Sequence, residues 1–214
     1  MSEPIRLHEN GKTVANISLA YRPTAPKRDE VELKFSEQGV AELEALKSHY
    51  PTLKACLLPA LWLAQREYNG HLCPEALAEV AFRLNRSFAE VEGVATFYTL
   101  YNATHKPGKH KIELCTCLSC HVNDAQRIRD YIVKKLGVQH GDTTADGMFT
   151  FEEVECLNAC DRAVVMQVGD QYHGPIDEAY VDRLLDELRA REDSTVVEMA
   201  DQVVKVQLRA DEVA

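Results

Sequence analysis

Apolar positions recur every three or four residues in the first half of the chain and every two residues in parts of the second. Over 36–49, Val40, Leu43 and Leu46 share one stripe and predict a helix, which Gly39 weakens. The apolar segment 53–68 predicts a second helix, ended by Asn69-Gly70, with Pro59 either in its first turn or kinking it. Pro74 opens "PEALAEVAFRLN", where Leu77, Val80, Ala81 and Leu84 follow the helical period. "SFAE" at 87–90 is a capping box, Ser87 to Glu90, that starts a fourth helix toward Tyr98. Together these predict a bundle of about four helices whose stripe residues, Trp62 included, form its core.

"KPGKH" at 106–110 reads as a turn and a domain boundary, and beyond it the period changes. "KIELC" alternates, with Ile112 and Leu114 on one face of a strand. Asp124 begins the helix "DAQRIRDYIVKKLG", with Ile128, Ile132 and Leu136 inward and Gly137 as its stop. "MFTFEEV" at 148–154 and "AVVMQVG" at 163–169 read as strands, and Gly169-Asp170 turns the second into "QYHG". Asp177 caps a last helix whose stripe is Val181, Leu184, Leu185 and Leu188. The order β-α-β-β-α is that of the thioredoxin architecture. The fold class is therefore α+β, an N-terminal helical bundle followed by a thioredoxin-like α/β domain.

Residues 1–34 hold Pro4, Pro23 and Pro26 and predict an extended arm, with a short strand at "TVANISLAY". The bundle is assigned to 35–104, the α/β domain to 105–190, and a tail to 191–214 that is unstructured alone or adds "VVKVQL" as a strand. There is no internal repeat.

Composition narrows the class. An apolar fraction of 45% and a charged fraction of 27% are those of a soluble globular protein. The longest apolar run, Ala55–Ala64, is about half of what a bilayer span needs and contains a proline. The first residues carry acids and no apolar h-region, against a secretory or transit peptide. A net charge of −10 argues against nucleic acid and against direct membrane contact, which need clustered Lys/Arg. Seven cysteines without an export signal imply a reducing, cytoplasmic setting, where clustered cysteines are metal ligands or catalytic thiols rather than disulfides.

Five of the seven are clustered. "LCTCLSC" at 114–120 holds Cys115, Cys117 and Cys120, and "ECLNAC" at 155–160 holds Cys156 and Cys160; both stretches follow predicted strands. The first pair divides in two registers, Cys115-x4-Cys120 or Cys117-x2-Cys120. Zinc fits the spacing, although such sites usually staple domains that lack a core. A dithiol enzyme would use Cys117-Leu-Ser-Cys120, but the helix is expected a few residues beyond Cys120, and a second pair would have no purpose. A [2Fe–2S] cluster uses both pairs, two thiolates per iron, and Cys-x4-Cys is part of the plant-type spacing. Five packed cysteines without metal is the remaining reading.

The stretches "LPALWLAQREYNGHL", "EVEGVATFYTLY", the Cys-x4-Cys and "TTADGMFTFEEVECLNAC" resemble the E (24 kDa) subunit family of NADH:quinone oxidoreductase, respiratory complex I, a thioredoxin-like [2Fe–2S] ferredoxin family. The resemblance covers roughly 35–190. Similar subunits occur in NAD-dependent formate dehydrogenases and NAD-reducing hydrogenases. It implies one [2Fe–2S] cluster held by Cys115, Cys120, Cys156 and Cys160, with Cys117 standing in the ligand loop as a departure from the family pattern. It also implies a role as a subunit of an NADH dehydrogenase, without a complete active site of its own. The partner is a flavoprotein subunit holding FMN and NADH, within a cytoplasmic, peripheral arm of an inner-membrane complex. No nucleotide-phosphate loop occurs in this chain, which agrees with FMN and NADH belonging to the partner alone.

Cys56 and Cys73 read as packing residues, His121 as a loop histidine, and Gly141, Gly147 and Gly169 as turn formers. A low potential, of about −400 mV, is expected. Backbone N–H groups directed at sulfur would raise it, and apolar Leu118, Val122 and Leu157 would exclude water and lower it. The competing classes are the equivalent subunit of a formate dehydrogenase or hydrogenase, and a zinc-stapled binding module.

Overall fold

Helices form where the apolar stripes fall. The structure is a computed structural model that describes residues 25–27 and 30–209; the strand expected at 13–21 lies outside the described residues. Helix α1 (Glu37–His49) buries Leu43 and Leu46, and the Ser36 hydroxyl caps it by accepting the Gly39 N–H. Gly39, a weak point by helix propensity, has a packing reason. A Cβ there would stand 2.8 Å from the Glu67 carboxyl carbon, and without it that carboxylate reaches the start of α1 to accept the Ser36 N–H at 2.8 Å.

Helix α2 (Leu57–Glu67) is buried almost all round and forms the centre of the bundle. Pro59 lies in its first turn, where a missing N–H costs no helical hydrogen bond. Helix α3 (Pro74–Arg83) opens on its proline, and α4 (Phe88–Phe97) is capped by Ser87 accepting the Glu90 N–H. Trp62 packs on Tyr101 with ring centroids 5.4 Å apart, so it is a core residue. The segment leading into α1 is held by the buried Glu79 carboxylate, which accepts the Lys34 and Phe35 N–H groups and the Tyr68 hydroxyl.

The second half is a four-stranded mixed sheet of order β2-β1-β3-β4. Its strands are β1 (His110–Cys115), β2 (Phe149–Val154), β3 (Met166–Val168) and β4 (Gln171–His173). β1 and β2 are parallel, with His110 opposite Phe149 and Cys115 opposite Val154; the β1–β3 and β3–β4 pairs are antiparallel. Between β1 and β2 run α5 (Leu118–Val122) and α6 (Ala125–Leu136). α7 (Glu178–Ala190) follows the sheet, capped by Asp177, whose carboxylate accepts the Tyr180 N–H. Ile112, Leu114, Phe149 and Phe151 form one apolar core with Ile128 and Ile132 of α6 and Val181, Leu184, Leu185 and Leu188 of α7.

Two expectations are corrected. A short helix that the sequence did not predict, α5, begins at Leu118 directly after Cys117, so helical structure starts before Cys120; the helix expected from Asp124 is present as α6. Residues 195–208, read as an unstructured tail or added strand, form helix α8 (Thr195–Leu208). Val196, Ala200 and Val204 recur every four residues, and burying that stripe outweighs the strand propensity of the valines. Ala200 and Val204 enter the bundle core beside α2. Arg66 ties three helices by pairing with Glu42 of α1, Glu67 of α2 and Asp201 of α8. The start of α8 is also fastened to β1: the Ser194 hydroxyl donates to the Lys109 carbonyl at 2.9 Å, and Thr195 shares a hydrogen bond with His110 at 3.2 Å.

Val204→Asp places an unpaired carboxylate in this core and is expected to lower the urea midpoint by the equivalent of about 2–5 kcal/mol. Val206→Asp, at an exposed position of the same helix, is expected to stay within about 0.5 kcal/mol of the parent. Equal effects would show that α8 contributes nothing to the bundle core.

Candidate metal centre

Parallel pairing of β1 and β2 brings the two cysteine loops out of the same end of the sheet. Cys115 is the last residue of β1, and its N–H donates to the Val165 carbonyl at 3.0 Å. Thr116 carries the ladder one residue further: its N–H donates to the Val154 carbonyl at 3.0 Å, and its hydroxyl donates to the same oxygen at 3.3 Å. Cys117 then sits at the N-cap of α5, and Cys120 lies within that helix. On the other side Cys156 follows β2 by two residues, and Cys160 begins a short 3-10 turn.

All five sulfurs belong to one neighbourhood. Cys115 and Cys160 both lie near enough to Cys120 to act on its charge. Cys117 lies near enough to Cys156 and Cys115 for their charge to act on its thiol. The Cys115 thiol also faces the Glu155 carbonyl at 3.9 Å. Cys115 and Cys120 are buried, Cys117 is half-buried, and Cys156 and Cys160 are exposed. Cys56 and Cys73 belong to the helical core instead, as expected of packing residues.

The backbone supplies donors to sulfur. Asn158 takes the left-handed conformation at φ 54°, and its N–H donates to the Cys156 sulfur at 3.3 Å. The Val165 N–H favours a Cys120 thiolate, but burial dominates and, with the neighbouring sulfurs, pushes that thiol up to about 11. At Cys117 the Leu118 N–H pulls the thiol down, while burial and the Cys156 and Cys115 sulfurs more than offset it, for a net upward shift. Thiols raised in this way favour the protonated state in a metal-free chain and give up protons when a cation binds. The donor set, soft sulfur alone, suits zinc or iron–sulfur chemistry rather than magnesium or calcium. Among the described residues no three His, Cys, Asp or Glu side chains converge on a single ion position. A dinuclear centre asks each metal for only two of these thiols.

The expected water shield is not formed. Leu118 is 75% and Val122 74% exposed, because both lie on the outer side of the short α5, and only Leu157 is partly buried against the core. Sequence reasoning also missed a charged group behind the second loop. Lys111, on the β1 face opposite Ile112 and Leu114, is buried between Glu113 at 3.1 Å and Glu152 at 2.9 Å. Burial alone would favour the neutral amine, but the two carboxylates hold Lys111 charged, a net upward shift. Glu113 is shifted upward too, since its desolvation exceeds what half a share of one cation returns. The signal was present as Lys-Ile-Glu, an alternation in which the polar positions, too, face inward. A cleft of about 330 Å3 opens here between bundle and sheet, lined by Thr99, Leu100, Lys111, Glu113, Cys156 and Leu157 among others.

Residues 43–189 match the family model of the thioredoxin-like [2Fe-2S] ferredoxins. The chain is 43% identical over 159 residues to the E 2 subunit of NADH-quinone oxidoreductase from Rhizobium meliloti (strain 1021), covering 74% of this chain and 94% of that protein. It is 35% identical over 155 residues to the E subunit of NADH-quinone oxidoreductase from Rickettsia prowazekii (strain Madrid E), covering 72% of this chain and 87% of the relative. It is 36% identical over 151 residues to NADH-quinone oxidoreductase subunit 2 of Thermus thermophilus, covering 69% and 82%. An NAD+-reducing [NiFe]-hydrogenase in its H2-reduced state aligns with a TM-score of 0.55 at 21% identity, over 62% of this chain and 22% of that one. That likeness is one of fold.

Lys111→Met removes the buried cation between two partly buried carboxylates and is expected to cost up to about 3 kcal/mol of stability in chemical denaturation. Adding Glu113→Gln to that variant is expected to recover part of the loss. No recovery would mean that lost packing of the lysine stem, rather than unpaired charge, sets the cost.

Proposed function

The chain belongs to the thioredoxin-like [2Fe-2S] ferredoxin family, and from that premise we propose that Cys115, Cys120, Cys156 and Cys160 hold one [2Fe–2S] cluster. The host is an NADH:quinone oxidoreductase, in which this chain exchanges single electrons with the FMN of a flavoprotein subunit. The observation that supports the ligand set is the delivery of two cysteine pairs from the C-terminal ends of adjacent parallel strands. The host is supported by relatives named as subunits of that oxidoreductase at 35–43% identity across most of their length. The hydrogenase shares the fold, and its equivalent subunit is the second reading.

When bound, such a cluster supplies reversible one-electron transfer without bond chemistry. The chain's residues do the rest. Cys115 and Cys120 provide the buried pair of sulfurs, Cys156 and Cys160 the exposed pair. The Asn158 and Val165 N–H groups stabilise negative charge on Cys156 and Cys120. A partner's cofactor approaches on the side where Cys156, Cys160, Leu118 and Val122 are open, and those two apolar side chains lose water when the partner covers them. No helix among the described residues is long and apolar enough to cross a membrane. Attachment to the complex's cytoplasmic, peripheral arm therefore runs through protein contacts.

Anaerobically isolated protein is expected to be brown, with about two irons and two acid-labile sulfides per chain and an EPR signal on reduction. Replacing Cys115, Cys120, Cys156 or Cys160 by Ala is expected to abolish the visible spectrum, while Cys117→Ala keeps it. A colourless protein carrying one zinc would sink the proposal, and loss in Cys117→Ala with retention in Cys115→Ala would reverse the register.

A further inference from the structure

Cys117 stands outside the proposed ligand set, yet the backbone brings it beside Cys156 across the two loops. Backbone geometry enforces the meeting. The Thr116 N–H and hydroxyl both bind the Val154 carbonyl, so the residue before Cys117 is fixed beside the chain two residues before Cys156. Access differs across the cluster of sulfurs: Cys156 is exposed and Cys117 half-buried, whereas Cys115 and Cys120 are only 3% and 1% exposed. A small oxidant arriving from solvent therefore meets Cys156 or Cys160 first, and at Cys156 it finds Cys117 on the neighbouring loop.

We propose that, in the chain not yet loaded with a cluster, Cys117 and Cys156 form a reversible disulfide under peroxide, which closes the site to iron until a thiol reductant reopens it. The bond itself is independent of the cluster assignment; its consequence rests on Cys156 being a ligand. The chemistry balances with hydrogen peroxide as the oxidant. The Cys156 sulfur attacks the peroxide, the O–O bond breaks, and a sulfenic acid and one water result. The Cys117 thiol then attacks that sulfur, the S–S bond forms, the S–O bond breaks, and a second water leaves. Two thiols lose two electrons and two protons, and one peroxide accepts both. A cellular dithiol reverses the bond by exchange. Cys117 thereby stops Cys156 at a recoverable stage, short of sulfinic acid.

The full-length chain, stripped of metal and reduced, would be treated with one equivalent of hydrogen peroxide. Differential alkylation and tandem mass spectrometry would then locate the oxidised thiols. The expected result is a Cys117–Cys156 link, loss of iron–sulfide uptake as read by visible absorption, and full recovery after dithiothreitol. A Cys115–Cys120 link, or a Cys156 joined to Cys160, overturns the proposal. Cys117→Ser provides the second arm, because serine suits the N-cap of α5 and preserves the fold. With excess peroxide its Cys156 is expected to reach sulfinic acid and its uptake to stay lost after dithiothreitol. Recovery in Cys117→Ser equal to the parent's overturns the protective role. A reduced, untreated parent chain that takes up no iron would instead sink the cluster assignment, and the mapped link would still decide the disulfide.

Discussion

The parallel pairing of β1 with β2 is the constraint on which the site depends. In an antiparallel pair the C-terminal ends point in opposite directions, and Cys115 and Cys156 would leave the sheet at opposite edges. Parallel strands need a crossover, which α6 and the 137–148 loop provide by laying Ile128 and Ile132 over Ile112, Leu114, Phe149 and Phe151. The register is locked near its start. The Thr150 hydroxyl accepts the Gly108 N–H at 2.6 Å and bonds Thr143 at 2.7 Å, and Gly108 passes so close that a Cβ would sit 3.0 Å from the Gly147 carbonyl and the Phe149 backbone. A slip of one residue would turn Ile112 and Leu114 away from the core and Lys111 into it, so apolar burial and site geometry are specified together.

Charge is the second constraint. The chain already carries −10, and a reduced thiolate-held cluster adds more. Lys111 is the buried cation beside the second loop, but Glu113 and Glu152 together exceed its charge. Compensation therefore falls to backbone N–H groups at Cys156 and Cys120. Hydrogen bonds to charged acceptors contribute roughly 1.5–3 kcal/mol each, about twice a neutral one, which suffices to matter for a one-electron potential. Under the proposed ligand set, the exposure of Cys156 and Cys160 would act in the same direction, since water solvates an added electron's charge. The shielding expected from Leu118 and Val122, which would have opposed this, is absent because both point outward.

Much of the fold was legible because long amphipathic elements carry their own period. The stripes of α1, α3, α6 and α7, the caps at Ser87 and Asp177, and the stops at Asn69-Gly70 and Gly137 are local signals, and local signals survive packing. α5 was missed because five residues make barely one turn and offer no period to read. α8 was misread because its valines favour a strand until α2 supplies a surface to bury them on. At the site, sequence spacing left two cysteine registers open, and resemblance chose between them. The contact between Cys117 and Cys156 depends on loops about forty residues apart and was invisible to either argument.

Strand β1 links the two halves mechanically. Its N-terminal end is bound to the start of α8 through Lys109–Ser194 and His110–Thr195, and α8 is part of the bundle core. Its C-terminal end is Cys115. Six residues of strand span about 20 Å, and β1 is paired on both sides, by β2 and β3. The start of α8 and the cysteine loops are thus joined by a single paired strand rather than by a linker. Whatever surface the bundle presents to a partner, the sulfur site is held at a fixed offset from it. Under the proposed role in electron exchange, that offset would make a docking contact on the helices relevant to transfer at the sheet.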